Sequence, residues 1–193
     1  MKLDIGCSYH KLPGYLGVDI EAGLDIDVLA DMHALPFKTS SVDLIHTRHM
    51  LEHVDDPHKC IKELYRICRP DGIIKIIVPH YSNPAYWADM THKRPFSVRS
   101  FEYFDLEFAE KAGFPIYQPN INLKTLKKRL TFWPERIYIR KSFLKRFVLK
   151  FLDRLFSGLA NLNPILCERT WCNWVGGFYE VTFELQALKD RNL

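Results

Sequence analysis

Apolar residues along this chain fall into short runs, most of them rich in Val, Ile and Leu and bounded by Gly, Pro or Asp. That punctuation predicts strands at 2–5, 16–20, 27–30, 42–47, 73–79, 115–122 and 179–188. The early runs alternate little, as strands buried on both faces do, whereas the last alternates like an antiparallel edge pair. Between the fourth and fifth runs the period changes. Ile61, Leu64 and Ile67 share a helical face, Asp55 and Asp56 can cap it, Pro57 suits the first turn, and Pro70-Asp71-Gly72 predicts the stop. A second helix is expected at 98–112, closed by Gly113. Strands alternating with helices argue for an open α/β sheet, in which ligands bind beyond the carboxyl ends of the strands.

Composition fits one domain over residues 1–193, since 47% of the residues are hydrophobic and can fill a core of that size. Cys7, Cys60, Cys68, Cys167 and Cys172 are odd in number and lack the close pairing of a zinc knuckle, so reduced thiols are expected. No stretch has the length of a membrane span and the first residues carry Lys2 and Asp4, so a cytoplasmic protein is expected. The formal charge of +4 is unevenly spread. From Lys124 to Arg154 there are eleven Lys and Arg against Glu135 and Asp153, which leaves the remainder acidic. Two surfaces with different partners follow from that split.

Candidate chemistry begins where the first strand ends. Gly6, Cys7 and Ser8 form a small-residue turn that lets backbone approach a ligand, and Asp19 closes the next strand, placed to accept hydrogen bonds from both hydroxyls of a ribose. A dinucleotide would need a G-x-G-x-x-G turn opening a helix, and Pro13 and Gly14 leave room for little more than a turn. A nucleoside without phosphates fits better.

LDIGCS, GVDI, ADMHALPF, VDLIHTRHMLEHVDDP and RPDGIIKIIVP follow one another in residues 3–79, and YEVTFELQALK closes the chain. This series resembles the class I S-adenosylmethionine-dependent methyltransferases, most closely the small "type 11" group. The resemblance implies a Rossmann-like open seven-stranded sheet, mostly parallel with an antiparallel last strand. Residues 1–122 would be the cofactor-binding core, 123–177 a basic helical insertion covering the acceptor side, and 178–189 the closing strand. It implies S-adenosyl-L-methionine as cofactor. Asp4, Gly6 and Cys7 would line its methionine end, Asp19 would bind the ribose hydroxyls, Asp31 and Met32 would flank the adenine, backbone near His49 would close the pocket, and Ser8 and Ile20 would complete the cofactor-binding set. The chain departs from the family at Ser8, where glycine is usual, and in the near loss of the helix between the first two strands.

Methyl transfer from a sulfonium is an in-line displacement, so a hydroxyl acceptor chiefly needs alignment and a base. His80, directly after the fifth strand, and His92, in the loop before the next helix, are the candidate bases, because histidine's ordinary pKa of about 6.5 suits proton removal near neutrality. Tyr81, Trp87 and Asp89 are further candidates for the acceptor pocket. No metal is expected: His49 and His53 are four apart, but the order is not H-E-x-x-H. An Asn/Asp-Pro-Pro-aromatic motif is absent after the fourth strand and Cys60 sits next to an apolar helix face, which argues against nucleic-acid methylation.

The expected activity is O-methylation of a small molecule, sugar or lipid-linked glycan; the competing reading is a non-catalytic methyltransferase-like module that binds a partner or membrane. A helix over 142–160 carries Leu144, Phe147, Val148, Phe151, Leu152, Leu155 and Leu159 opposite Arg146, Lys150, Asp153, Arg154 and Ser157. Its apolar face is expected to pack over the acceptor pocket or into a homodimer, with peripheral contact to an anionic membrane as the alternative.

Overall fold

In the computed structural model of the chain, residues 1–134 and 141–189 are described. Five strands run parallel: β1 (Lys2–Ile5), β2 (Leu16–Asp19), β3 (Val28–Leu29), β4 (Val42–Arg48) and β5 (Cys68–Pro79). Two more, β6 (Leu123–Thr131) and β7 (Glu180–Ala187), complete a seven-stranded sheet of order β3-β2-β1-β4-β5-β7-β6, in which β7 is antiparallel to both neighbours. The chain moves outward from β1 to β3 and returns on the other side at β4. The gap between the carboxyl ends of β1 and β4 is therefore the switch point where such sheets bind ligands. The strands are buried on both faces, with Leu3, Val18, Ile45, Ile74 and Ile76 fully or almost fully excluded from solvent.

Helix α1 (Pro57–Ile67) forms as the pattern demands: the Asp56 side chain accepts from Lys59 N at 3.0 Å, and Cys60, Ile61, Leu64 and Ile67 go into the core. Its end differs from expectation. Cys68 is already extended and opens β5 with no intervening loop. Pro70-Asp71-Gly72 is a bulge inside that strand, since Cys68 pairs with Val42 and the next pair is Ile73 with Leu44. Pro70 cannot donate and forces its predecessor to be extended, so the helix stops before the turn signal.

The expected helix at 98–112 is split. A 3-10 turn (Glu102–Phe104) is separated from α3 (Leu106–Ala112) by Asp105, whose side chain caps Phe108 N at 3.1 Å; Gly113 ends α3 in the left-handed conformation, as anticipated. A short α2 (Pro84–Ala88) follows β5.

Two expectations about the second half are corrected. The strand assigned to 115–122 is loop, with Ile116 and Tyr117 exposed, and the sixth strand is Leu123–Thr131. The lysine-rich stretch 124–129 is thus not the start of a helical insertion: it is an edge strand that turns Leu123 and Leu130 inward and Lys124, Lys127 and Arg129 outward.

Helix α4 (Phe143–Leu162) exists, but its faces are reversed. Its polar residues dock: Asn161 bonds both the N and the O of Leu130, Ser157 Oγ accepts from Phe132 N at 2.9 Å, and Asp153 accepts from Trp133 N at 3.0 Å. Phe143, Leu144, Phe147, Phe151 and Leu159 are each more than half exposed. The unpaired donors at the end of an edge strand outbid the apolar stripe, because a buried unsatisfied backbone group costs more than an exposed Leu. Glu135, Arg136 and Arg140, part of the basic region, lie outside the described residues. A four-residue α5 (Pro164–Cys167) and a π-helical turn (Glu168–Cys172) lead back to β7.

Candidate active site

At the end of β1, Gly6 takes φ +72°, and a Cβ there would stand 2.6 Å from Met50 Cγ. Backbone and Met50 therefore meet because residue 6 has no side chain. Ser8 also has positive φ, 49°, a conformation that glycine adopts without strain. Its N–H donates to Asp19 Oδ2 at 2.9 Å, and Glu21 N donates to Asp19 Oδ1 at 3.2 Å. Asp19 is thereby held by backbone, with lone pairs left on both oxygens.

Asp4 sits behind this turn, buried, with Oδ2 accepting from Leu12 N at 2.8 Å and Oδ1 facing His46 Nδ1 at 2.7 Å. It replaces part of what a helix after β1 would do, by tying the ten-residue connection (6–15) to the sheet.

A cavity of about 340 Å³ opens at the switch point, within the usual size range of small-molecule sites. Gly6, Asp19, Ile20, Asp31 and Met32, all candidates from the sequence, line it. Asp4, Cys7, Ser8 and His49 stand outside its wall, where they shape the loops that form it. Asp31 is held below the ordinary carboxylate range first by the His33 backbone N–H and then by the His33 ring, at 2.8 and 2.7 Å.

Sequence reasoning missed Met50, His53, Val54 and Asp55, which close the opposite wall. The sequence pattern places only backbone near His49 on this side, whereas the position of residues 50–55 beyond the carboxyl end of β4, beside the switch, is the signal that points to them. A larger cavity, about 580 Å³, lies between α1 and the segment 94–104 and contains none of the predicted site residues.

The candidate bases part company. His80 is fully buried, with Nδ1 against Ser82 Oγ at 2.8 Å and Nε2 against Glu168 Oε1 at 3.0 Å. Both ring nitrogens are committed, so His80 ties the π-helical turn to β5 and has no face for a substrate. Tyr81 joins the same knot through Glu168 O and Asn173, and burial pushes its hydroxyl up to about 12. His92 is partly exposed, stacked on Tyr86 with centroids 4.8 Å apart and 4.7 Å from the ring of His53. It therefore reaches the wall of the 340 Å³ cavity through His53. Trp87 is exposed, its Nε1 donating to Tyr81 O at 3.0 Å.

His49, at φ +52°, spans two carboxylates: Nδ1 to Glu52 Oε1 at 3.1 Å and Nε2 to Glu180 Oε1 at 2.7 Å. Burial by itself disfavours its imidazolium, but the bonds to Glu180 and Glu52 outweigh that and leave its pKa raised. Burial likewise opposes ionisation of Glu180, and His49 with Arg48 reverses it, holding that carboxyl at about 2. All five cysteines are free, and burial pushes Cys60 and Cys172 up to about 12 and Cys68 to about 11. Those three are poor nucleophiles.

Residues 3–76 match the protein family described as "Methyltransferase domain". Over 74 residues the chain is 35% identical to a demethylmenaquinone methyltransferase of Renibacterium salmoninarum, a match covering 38% of this chain and 30% of that protein. The chain thus spans less than a third of this curated relative. A solved S-adenosylmethionine-dependent methyltransferase from Archaeoglobus fulgidus superposes with TM-score 0.56 at 15% identity, over 96% of this chain and 85% of that one. Phosphoethanolamine N-methyltransferase 2 of Haemonchus contortus, solved with S-adenosyl-L-methionine, superposes with TM-score 0.51 at 15% identity, over 98% of this chain and 48% of that one. The fold is shared with these two solved methyltransferases, and the segment matched by the family ends within β5, so it carries both strands of the switch point.

Proposed function

We propose that this chain, whose residues 3–76 match the methyltransferase-domain family, is a methyltransferase that uses S-adenosyl-L-methionine and acts on a hydroxyl of a small molecule, sugar or lipid-linked glycan. The observation that carries this reading is the convergence of Gly6, Asp19, Asp31 and Met32 on one cavity between the ends of β1 and β4.

The cavity's chemistry fits that cofactor. Asp19 offers lone pairs to ribose hydroxyls, and Met32 and Ile20 offer apolar surface to a purine. The close approach of Gly6 to Met50 leaves backbone, without a side chain, facing the amino-acid end. No helix begins at this turn to hold a pyrophosphate, which separates the site from a dinucleotide site. Bound there, S-adenosylmethionine supplies a methyl group on a positively charged sulfur. The chain's own part is to exclude water, align the acceptor and receive its proton. His92, beside His53 at the cavity wall, is the base this reading favours.

Contact with an anionic membrane accompanies this activity in our reading, and the outward apolar face of α4 supports it. Phe143, Phe147, Phe151 and Leu159 point away from the sheet, with Lys145, Arg146, Lys150 and Arg154 on the same helix. That is the layout of a helix lying in a lipid headgroup layer. Among the described residues no helix is long and apolar enough to cross a membrane.

Thermal unfolding with S-adenosylhomocysteine, with NAD as control, tests the cofactor. At about 100 times its dissociation constant a ligand adds roughly 2.7 kcal/mol, or about 5–11 °C at this chain length. Asp19→Ala should abolish the shift. A shift with NAD alone, or none with S-adenosylhomocysteine at saturation, overturns the reading in favour of a module that only binds partners or membrane.

A further inference from the structure

Glu52, His53 and His92 each present a donor atom, and these atoms lie within 4.8 Å of one another. The sequence does not announce this cluster, because His92 comes from the loop after α2 and reaches back to the turn after β4. Its parts are oriented in a particular way.

The Glu52 carboxylate is wholly buried. Oε1 accepts from His49, and Oε2 has no hydrogen-bond partner among the described residues. A buried carboxylate oxygen without a donor or a cation carries a large desolvation cost.

The hydrogen bonds also settle both imidazole tautomers. His92 Nδ1 lies 2.9 Å from the Tyr86 carbonyl, which can only accept, so Nδ1 carries the proton and Nε2 is bare. Thr91 Oγ1 gives its own proton to Asp89 Oδ1 at 2.6 Å. It therefore accepts from His53 Nδ1 at 3.0 Å, which leaves His53 Nε2 bare as well. Two imidazoles, each with Nδ1–H anchored on oxygen and one nitrogen free, clustered with a buried carboxylate that keeps one oxygen unbonded, make a donor set of the kind in which protein sites hold metal ions. Asp89 Oδ2, 3.7 Å from His92 Nε2, adds a second negative charge at the rim.

We propose that Glu52, His53 and His92 form a binding site for a divalent transition-metal cation such as Zn²⁺, Co²⁺ or Mn²⁺. Two imidazole nitrogens and one carboxylate oxygen suit such ions better than Mg²⁺ or Ca²⁺, which prefer all-oxygen shells. The three ligands leave positions open. His53 also lines the 340 Å³ cavity, so the site borders the place where, in the methyl-transfer reading, an acceptor would meet the cofactor.

A role in catalysis rests on the methyl-transfer reading, whereas binding itself does not. In that role the ion binds the acceptor oxygen and lowers its pKa, so its proton leaves to solvent. The oxygen then forms the bond to the methyl carbon, and the electron pair of the broken carbon–sulfur bond stays on sulfur. His92 would then act as a ligand, and the ion would take over its part in proton removal.

The test is calorimetric titration of the full chain, free of any polyhistidine tag and stripped with chelator, with Zn²⁺, Co²⁺, Mn²⁺ and Mg²⁺ separately and without cofactor. One equivalent of a transition metal should bind, with affinity falling at least tenfold in His53→Ala, in His92→Ala and in the near-isosteric Glu52→Gln. His10→Ala, in an exposed loop, should bind like the parent. Thr91→Val, which removes only the anchor of His53, should weaken binding by about 10–100-fold. Circular dichroism and the unfolding midpoint confirm that each variant is folded. Absence of saturable one-to-one binding overturns the proposal, as does binding that survives His53→Ala/His92→Ala. Neither result bears on the S-adenosylhomocysteine shift, so the two readings fail separately.

Discussion

Alanine at position 6 asks two things of the structure at once. It places an L-residue at φ +72°, which costs roughly 1–2 kcal/mol for a non-glycine residue, and it drives a methyl group to within 2.6 Å of Met50 Cγ and 2.8 Å of Met50 Cβ. Overpacking of that kind typically costs a further 1–3 kcal/mol. Gly14 supplies the internal reference, since its φ is +79° but nothing lies within 4 Å of the added Cβ. Gly14→Ala should therefore lower the unfolding midpoint by about 2–8 °C and Gly6→Ala by about 4–20 °C, at 2–4 °C per kcal/mol for a chain of this size.

Gly6→Ala/Met50→Gly, which removes both clashing atoms, closes a double-mutant cycle in which about 1–3 kcal/mol of the Gly6→Ala cost should disappear with the Met50 side chain. Met50 lines the cavity, so its displacement should also abolish stabilisation by S-adenosylhomocysteine in Gly6→Ala. Equal losses for Gly6→Ala and Gly14→Ala, or a cycle with no coupling energy, would refute the claim that backbone and Met50 are in contact by design at this turn.

Other expectations follow from the same geometry. Glu180, held at about 2 against an ordinary 4.5, contributes of order 3 kcal/mol above its unfolded pKa, and this is lost as pH falls toward 2. His49, whose pKa is raised, contributes fully below about 6.5 and loses that contribution as pH climbs through its folded value. Urea midpoints should thus fall on both flanks, and a Glu180→Gln variant with an unchanged acid limb would contradict the pairing. Ser8→Gly removes the strain at φ +49° and should raise the midpoint by about 1–4 °C after the entropy of the extra glycine; a fall would show that the serine side chain is needed. Asn161→Ala strands the N–H and C=O of Leu130 and should cost about 1–3 kcal/mol, read by chemical denaturation. Phe147→Glu/Phe151→Glu, both at exposed positions, should leave the midpoint unchanged yet abolish sedimentation with phosphatidylserine vesicles; unchanged sedimentation would remove the membrane from the reading.

The first half of the fold was legible because its signals are local and agree. Leu3, Ile5 and Val18 form buried parallel runs, Asp56 and Pro57 start a helix, and Asp19 ends a strand. The second half was not, because there the deciding interactions are non-local. The strand 123–131 reads as a charge run until β7 supplies its partner. Asp153, Ser157 and Asn161 look like a solvated stripe until the strand-end N–H groups of Leu130, Phe132 and Trp133 claim them. The site divides the same way: Asp19, Asp31 and Met32 announce themselves beside their strands, whereas the proximity of His92 to His53 depends on how a loop 39 residues further on folds back. His80 was misjudged because position after a strand says nothing about burial, and Glu168, from the far side of the chain, seals it.

Both rims of the sheet are closed to strand addition. At one end β3 is only two residues long, and at the other β6 projects Lys124, Lys127 and Arg129 into solvent, so neither presents the long, uncharged strand on which another chain could template itself. A folded molecule is thereby a poor seed for fibrils, even at high local concentration. Edge-to-edge pairing of two copies is likewise disfavoured at both described rims.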